Sequence, residues 1–319
     1  MTGRRRALVP LAAMLAVAVL VAPARPFPIL AVPFALLLLG LRYREPFGVA
    51  AALLLLGLVF GPGPGPGEAG GWHLLRGWCL LTGGLFVALC SAGRPTRLLD
   101  RSLAAVGTAT CAVTALALAR PAFGAALDAW MEGQIGEAAS AARALLAVQP
   151  GEDPASLSSS MSRAIETWAG FQLQVYPALL GLATAAALSV AWYFARRGDG
   201  DAGPTAPPRV REFAFRDELI WVLVGGLALL VLPLGAAAFR IGENATMFMG
   251  ALYLVRGAAI LGWVASAAVT SAWSWALIGI GAVLAYPVVA GAALVLGVGD
   301  TWLHVRERLR VVGLNGSGR

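Results

Sequence analysis

The chain has 319 residues, 59% of them hydrophobic and 13% charged, with a mean hydropathy of +0.76. Soluble domains carry about 25% charged residues, so a soluble globular protein is excluded and an all-α, polytopic helical membrane bundle is expected. The net charge of +7 comes from 24 basic side chains, all Arg, against 17 acidic ones; they sit in short segments beside apolar runs, where cytoplasmic retention explains them, so no nucleic-acid partner is implied.

The start, "MTGRRRALVPLAAMLAVAVLVAPA", copies a secretory signal with Ala22-Pro23-Ala24 as a cleavage-like site. Further apolar runs follow at once, so an uncleaved first span is expected. Apolar runs cover residues 7–24, 28–41, 47–60, 73–92, 102–119, 168–194, 219–239, 245–266 and 271–299. A helix needs roughly 20 residues to cross a ~30 Å core. The second and third runs fall short, which suggests tilted, re-entrant or covered helices. The last run holds Pro287, and two short helices broken near Tyr286-Pro287 are favoured over one long tilted helix, because a hairpin returns the basic "HVRERLR" to the cytoplasm. The total expected is about 8 to 10 membrane-embedded helices.

Arginine counts set the orientation. With the N-terminus inside, thirteen Arg between Arg4 and Arg216 fall on the cytoplasmic side, and five (Arg25, Arg120, Arg143, Arg163 and Arg240) fall on the other. The expected location is therefore a bacterial cytoplasmic (inner) membrane, multi-pass, with the N-terminus cytoplasmic.

Three divisions follow: an N-terminal membrane half over 1–195, a cytoplasmic linker over 196–216 and a C-terminal membrane part over 217–312. "GPGPGPGEAGG", residues 61–71, reads as a flexible outer loop. Residues 120–167 form an outer amphipathic segment with Asp128, Glu132 and Glu137 among small residues. It should lie on the surface or cap the bundle, as a lid or as a solvated connector. Within it, Asp153 is a candidate N-cap and Pro154 a first helical residue. Leu157, Met161, Ile165 and Trp168 make one stripe, and the helix should run on into the sixth span. The linker "RRGDGDAGPTAPPRV" has a disordered composition, and Phe213, Phe215 and Trp221 after it read as interfacial anchors.

The polar groups inside the membrane are few. Asn244 is placed to cap the eighth span. Arg256, about 18 Å further along, falls near the middle of the core, where insertion costs about +2.5 to +3.5 kcal/mol. It should therefore face the bundle. Met249, Tyr253, Arg256 and Ile260 share a stripe, and Gly250 and Gly257 offer a groove for a partner helix. Arg256 with Tyr253 is either an anion or carboxylate clamp or a structural Arg bonded to carbonyls and an acidic partner; Asp300 is a candidate for that partner, at the end of its run. Asn244, Gln172 and Gln174 complete the candidate ligand-binding set, the glutamines preceding Pro177, where a kink could open a pocket. His73 and Arg76 are softer candidates near the outer surface.

No metal site, cofactor or catalytic residue is expected. His73 and His304 lie far apart in sequence, no nucleotide-binding glycine motif is present, and Cys79, Cys90 and Cys111 lack ligand spacing and read as buried free thiols. The chain reads as a non-enzyme.

"FRDELIWVLVG", the span opened by Asn244 that continues to Arg256-Gly257, and "LGVGD" ending at Asp300 before "RERLR" resemble the C-terminal half of the YybS-like family of predicted bacterial membrane proteins, domain of unknown function 2232. The resemblance covers roughly residues 205–310, with only the order of spans agreeing before that. This chain has Arg256 where the family more often has Gln. The resemblance implies a bundle similar to the substrate-binding membrane subunits of energy-coupling-factor transporters, hence a small-molecule binding or transport subunit without its own ATPase. The alternative is a non-transporting membrane scaffold, assembly or regulatory protein. Expected partners are the lipid bilayer, a small anionic ligand and a cytoplasmic energising or assembly partner.

Overall fold

A computed structural model describes residues 69–91, 98–147, 154–197, 213, 215–268 and 271–303. The first three apolar runs, residues 61–68 of the Gly-Pro stretch, Asp153, most of the linker and the basic tail lie outside these residues. Among the described residues all regular structure is helical. Among these residues four helices are long and apolar enough to cross a membrane, covering Leu99–Ala119, Ser160–Ser189, Ala236–Ala265 and Tyr286–Leu303. The chain divides into two compact units, Met1–Gly203 and Pro204–Arg319.

In the first unit, α1 (Ala69–Ser91), α2 (Leu98–Ala119), α3 (Pro121–Ala147) and α4 (Pro154–Arg197) pack together. Helix α1 begins at Ala69, so the final Ala-Gly-Gly of the stretch read as loop is already helical. The core is built from Phe86, Ala105, Val106, Ala109 and Leu188, with the small hydroxyls of Thr82, Ser102 and Thr184 buried among them. Thr82 and Ser102 donate to carbonyls of their own helix, which satisfies them in an apolar interior. Trp78 Nε1 donates to Thr184 Oγ1 at 2.9 Å and so ties α1 to α4.

Only Arg120 separates α2 from α3, and the chain doubles back tightly enough that a side chain on Gly124 would touch the Ala117 methyl at 3.4 Å. Helix α3 is largely exposed within its unit, and Glu132 and Glu137 are among its exposed positions. Its Asp128 instead accepts a 2.7 Å hydrogen bond from Tyr176 Oη on α4. Helix α4 runs unbroken from Pro154 through Pro177 to Arg197. Its stripe of Met161 and Trp168 is exposed rather than a packing face. Cys79 is buried, but Cys111 is exposed on α2, against the expectation of buried thiols.

The second unit is organised around one helix. A 3-10 turn, Asp217–Leu219, leads into α5 (Ile220–Val231), followed by α6 (Ala236–Ala268), α7 (Ala272–Leu284) and α8 (Tyr286–Leu303). The sequence reading placed the α5–α6 connection around Arg240 to Asn244, and the structure moves it to residues 232–235. Pro233 cannot donate to a helical carbonyl, and Gly235 has φ +95, a backbone that side-chain-bearing residues rarely adopt. The run over 219–239 is therefore two pieces. Alone, α5 measures about 18 Å and is too short for a ~30 Å core.

Helix α6 is flanked by α5 and α8. A Cβ on Gly242 would lie 2.8 Å from the Gly226 carbonyl oxygen, and one on Gly226 2.9 Å from Thr246 Oγ1, so α5 and α6 touch backbone to backbone. The α6–α8 crossing is closer still: a Cβ on Gly257 would enter the Ala293 carbonyl, and one on Gly297 would enter that of Tyr253. Gly257 meeting Ala293 and Tyr253 meeting Gly297 means that the two helices run antiparallel. Such small-residue approaches let dispersion and polar contacts hold helices together where lipid removes the hydrophobic drive. Gly250 has nothing within 4 Å, so it is not part of this groove.

The long final run breaks at Ala285, next to Tyr286-Pro287. Helices α7 and α8 make only a few contacts with each other. Trp273, Leu277, Ile280, Val283 and Leu284 leave α7 apolar and exposed.

Candidate functional site

Arg256 stands twenty residues from the start of α6 at Ala236 and twelve from its end at Ala268. That is about 30 Å and about 18 Å of helix, inside the apolar stretch but past its middle. Met249, Tyr253, Arg256 and Ile260 are all buried, so the stripe read from spacing faces the interior of the unit. The interior it meets is α8 and the segment before α5.

Two carboxylates meet the guanidinium. Asp300 Oδ2 accepts from Nε at 3.0 Å and is 2.9 Å from Nη2, with both side chains 6% exposed. Asp217 Oδ1 accepts from Nη1 at 2.7 Å, but its side chain is 48% exposed. The carboxylates come from opposite ends of the unit, 39 and 44 residues from Arg256 in sequence. Asp300 arrives because the Gly257–Gly297 approach fixes the register of α8 against α6. Asp217 arrives because α5 lies antiparallel to α6 and begins at this level.

An aromatic floor closes the cluster. The Phe215 ring lies 5.4 Å from the guanidinium carbon, a cation–π distance. It also meets Tyr253 edge-on at 5.1 Å, and Phe213 at 6.1 Å. Phe215 is 2% exposed. It is thus part of the cluster rather than the interfacial anchor read from sequence, whereas Trp221 is exposed as an anchor would be. Tyr253 Oη lies beside Thr301 and near Arg256 and Asp217. Neither the Tyr253 nor the Thr301 hydroxyl makes a hydrogen bond of acceptable geometry, although both are buried.

Among the described residues the cluster is one cation and two anions, a formal charge of −1. A lone guanidinium at this depth is costly, and a buried pair offsets that cost only with good geometry and further hydrogen bonds. The Nε and Nη2 contacts with Asp300 meet that condition. Just outside, Arg216 bonds Glu218 at 3.1 Å, and this hydrogen bond, with the charge, holds the exposed Glu218 carboxyl below its usual range.

The remaining sequence candidates fall elsewhere. Asn244 is not a cap, because α6 begins at Ala236 and Asn244 Nδ2 folds back onto the Arg240 carbonyl at 3.0 Å, as a polar side chain inside a helix does. Gln172 and Gln174 belong to α4 in the first unit, Gln172 half-buried and Gln174 exposed. Beside them Tyr176 bonds Asp128, and Pro177 leaves the Leu173 carbonyl without its helical donor. The side chains of His73 and Arg76 lie outside the described ones. Among the described residues no group of three His, Cys, Asp or Glu could hold a metal ion.

Sequence reading missed Asp217, Phe215 and Thr301 as members of the cluster. The signal available for Asp217 was its place in "FRDEL" at the mouth of a span, but nothing in the spacing pairs it with a residue 39 positions on.

No curated protein and no solved structure matches the chain. The family resemblance read at residues 205–310 extends much further, into the N-terminal half. The family model described as "Predicted membrane protein (DUF2232)" matches residues 10–301, and the chain belongs to that family of membrane proteins.

Proposed function

We propose that the chain is a small-molecule binding or transport subunit of a bacterial cytoplasmic membrane, without an ATPase of its own and not an enzyme. The observation that carries this reading is Arg256, buried within an apolar helix between a buried and a half-exposed carboxylate, with the Tyr253 hydroxyl nearby and itself beside Thr301. Ionisable groups at membrane depth mark ligand and ion paths more often than they fill space. Buried polar groups that converge without full satisfaction are what a recognition site offers. The implied similarity of the family to substrate-binding subunits of energy-coupling-factor transporters agrees with this, and a cytoplasmic partner would then supply the energy.

The test is a thermal-shift screen of detergent-solubilised protein against vitamins, nucleobases and small carboxylates, with Arg256→Ala beside the wild type. A bound ligand stabilises by RT ln(1 + [L]/Kd), about 2.7 kcal/mol at a hundredfold excess over Kd. A compound that raises the wild-type midpoint but not that of a folded variant supports the reading. No shift with any compound opposes it.

One observation favours the second reading, a scaffold or assembly protein. All three guanidinium nitrogens meet carboxylates of the same unit. On that reading the cluster is a lock between helices, and a protein partner survives extraction in detergent.

A further inference from the structure

We propose that Arg256 is a two-sided anion receptor, in which Asp300 is the fixed counter-ion and Asp217 an exchangeable one that a small carboxylate-bearing ligand displaces from Nη1. This rests on the binding-subunit reading and names its ligand class and the way the ligand enters.

The asymmetry of the two contacts carries the inference. Asp300 engages two guanidinium nitrogens, is buried, and sits on a helix whose position is set by backbone contact at Gly257 and Gly297. Moving it means separating two helices. Asp217 engages one nitrogen, is 48% exposed, and opens a three-residue 3-10 turn after the linker. Its neighbours Arg216 and Glu218 are 61% and 69% exposed and bond to each other. Phe215, buried between the guanidinium and Tyr253, tethers the turn, and the Asp217 side chain can therefore leave while the floor stays.

Charge selects exchange over addition. Among the described residues the cluster already carries −1, and a further anion beside both carboxylates would place −2 there. Replacing Asp217 by a monocarboxylate leaves the total unchanged. The planar fork of Arg accepts either carboxylate at Nη1 with the same geometry. The buried Tyr253 hydroxyl lies near Arg256 and Asp217, beside that of Thr301, and makes no well-formed hydrogen bond of its own. A ligand carboxylate at Nη1 gives it an acceptor. Asp217 is thus a built-in competitor that lowers the apparent affinity of free anions by the fraction of time it holds Nη1.

The test is chemical rescue in detergent, with sodium acetate as probe and sodium chloride at equal ionic strength as control. Asp217→Ala removes the exchangeable carboxylate and opens space for acetate at Nη1. Acetate is expected to raise its melting midpoint above the chloride control, with half-saturation about tenfold lower than in the wild type. Asp217→Asn keeps the shape, removes the charge and should respond in the same direction. Asp300→Asn, altered at the fixed side, should gain nothing from acetate; if it does not fold, the acetate–chloride difference in the two Asp217 variants decides. Equal responses to acetate and chloride in those variants, or an acetate response no greater than that of the wild type, overturn the proposal. Rescue of the Asp217 variants while no compound in the screen shifts the wild type would keep the exchangeable receptor and remove the binding-subunit reading. A screen hit without rescue would do the reverse.

Discussion

Two glycines on one helix, seven residues apart, should respond to the same substitution with opposite signs. A Cβ on Gly257 would enter the Ala293 carbonyl, with the carbonyl carbon at 2.5 Å and Gly297 N at 2.9 Å, whereas Gly250 has nothing within 4 Å. At Gly257 the obstacle is backbone, so no rotamer relieves it, and α8 must move away from α6 by about 2 Å to reach ordinary contact. Overpacking a core costs about 1–3 kcal/mol where side chains can yield, and a rigid helix backbone puts this case at the upper end. The displacement also draws Asp300 away from Arg256, because both contacts depend on the same crossing. We expect Gly257→Ala to lose about 3 kcal/mol, or about 6–12 °C at the ~2–4 °C per kcal/mol of a chain this size.

Gly250→Ala adds a methyl in open space and removes a flexible residue from a helix interior, for a gain of up to about 1 kcal/mol. Thermal unfolding of both variants in one detergent, followed by tryptophan fluorescence, measures the contrast. Equal midpoints for the two variants, or a loss confined to Gly250→Ala, would show that α6 and α8 do not cross at Gly257.

The ion cluster should be unequal in the same assay. Asp300→Ala leaves the buried Arg256 short of its main partner and should cost about 3–5 kcal/mol, while Asp217→Asn, at a half-exposed contact, should cost less than about 1 kcal/mol; similar losses at both sites would contradict the burial difference. Thr246→Val keeps the side-chain shape and removes a buried hydroxyl that has no partner, so unfolding should show unchanged or slightly raised stability, by up to about 1 kcal/mol. Glu218 titrates below its ordinary value because Arg216 hydrogen-bonds it, so its favourable contact is present above the unfolded pKa and is lost as pH falls through the lower folded one. Carboxyl chemical shifts against pH should show the Glu218 midpoint move up in Arg216→Gln, and an unmoved midpoint would refute the contact.

The apolar runs announced most of the described helices because hydrophobicity in lipid is a local property of a segment. Helices α1, α2 and α4 lie over runs at 73–92, 102–119 and 168–194, and Pro154 opens the helix that continues into the last of these. The errors came where polar residues were read as surface markers. Arg240, Glu243 and Asn244 looked like the outside end of a span, yet they lie within α6, and the turn sits at Pro233 and Gly235 inside an apolar run. Backbone chemistry decided that boundary: a missing N–H and a positive φ outweigh a cluster of polar side chains, because the latter can fold back on their own helix as Asn244 does.

The cluster itself was half legible for a related reason. Helical spacing alone places Met249, Tyr253, Arg256 and Ile260 on one face, and the cost of an exposed guanidinium turns that face inward. Which carboxylates it meets is a question of how three helices register, and that is set by glycines whose importance appears only when another backbone lies against them. Gly250 and Gly257 look equivalent in sequence, and only the second touches α8. That contact brings Asp300 to Arg256, so the identity of the fixed counter-ion follows from packing at a residue without a side chain. Asp217 is reached by a different path, through the antiparallel return of a helix about 18 Å long. An arginine out of place in its own span is therefore the point where both neighbouring helices are read. A change at Gly257 should reach the Arg256 guanidinium as surely as a change at Asp217.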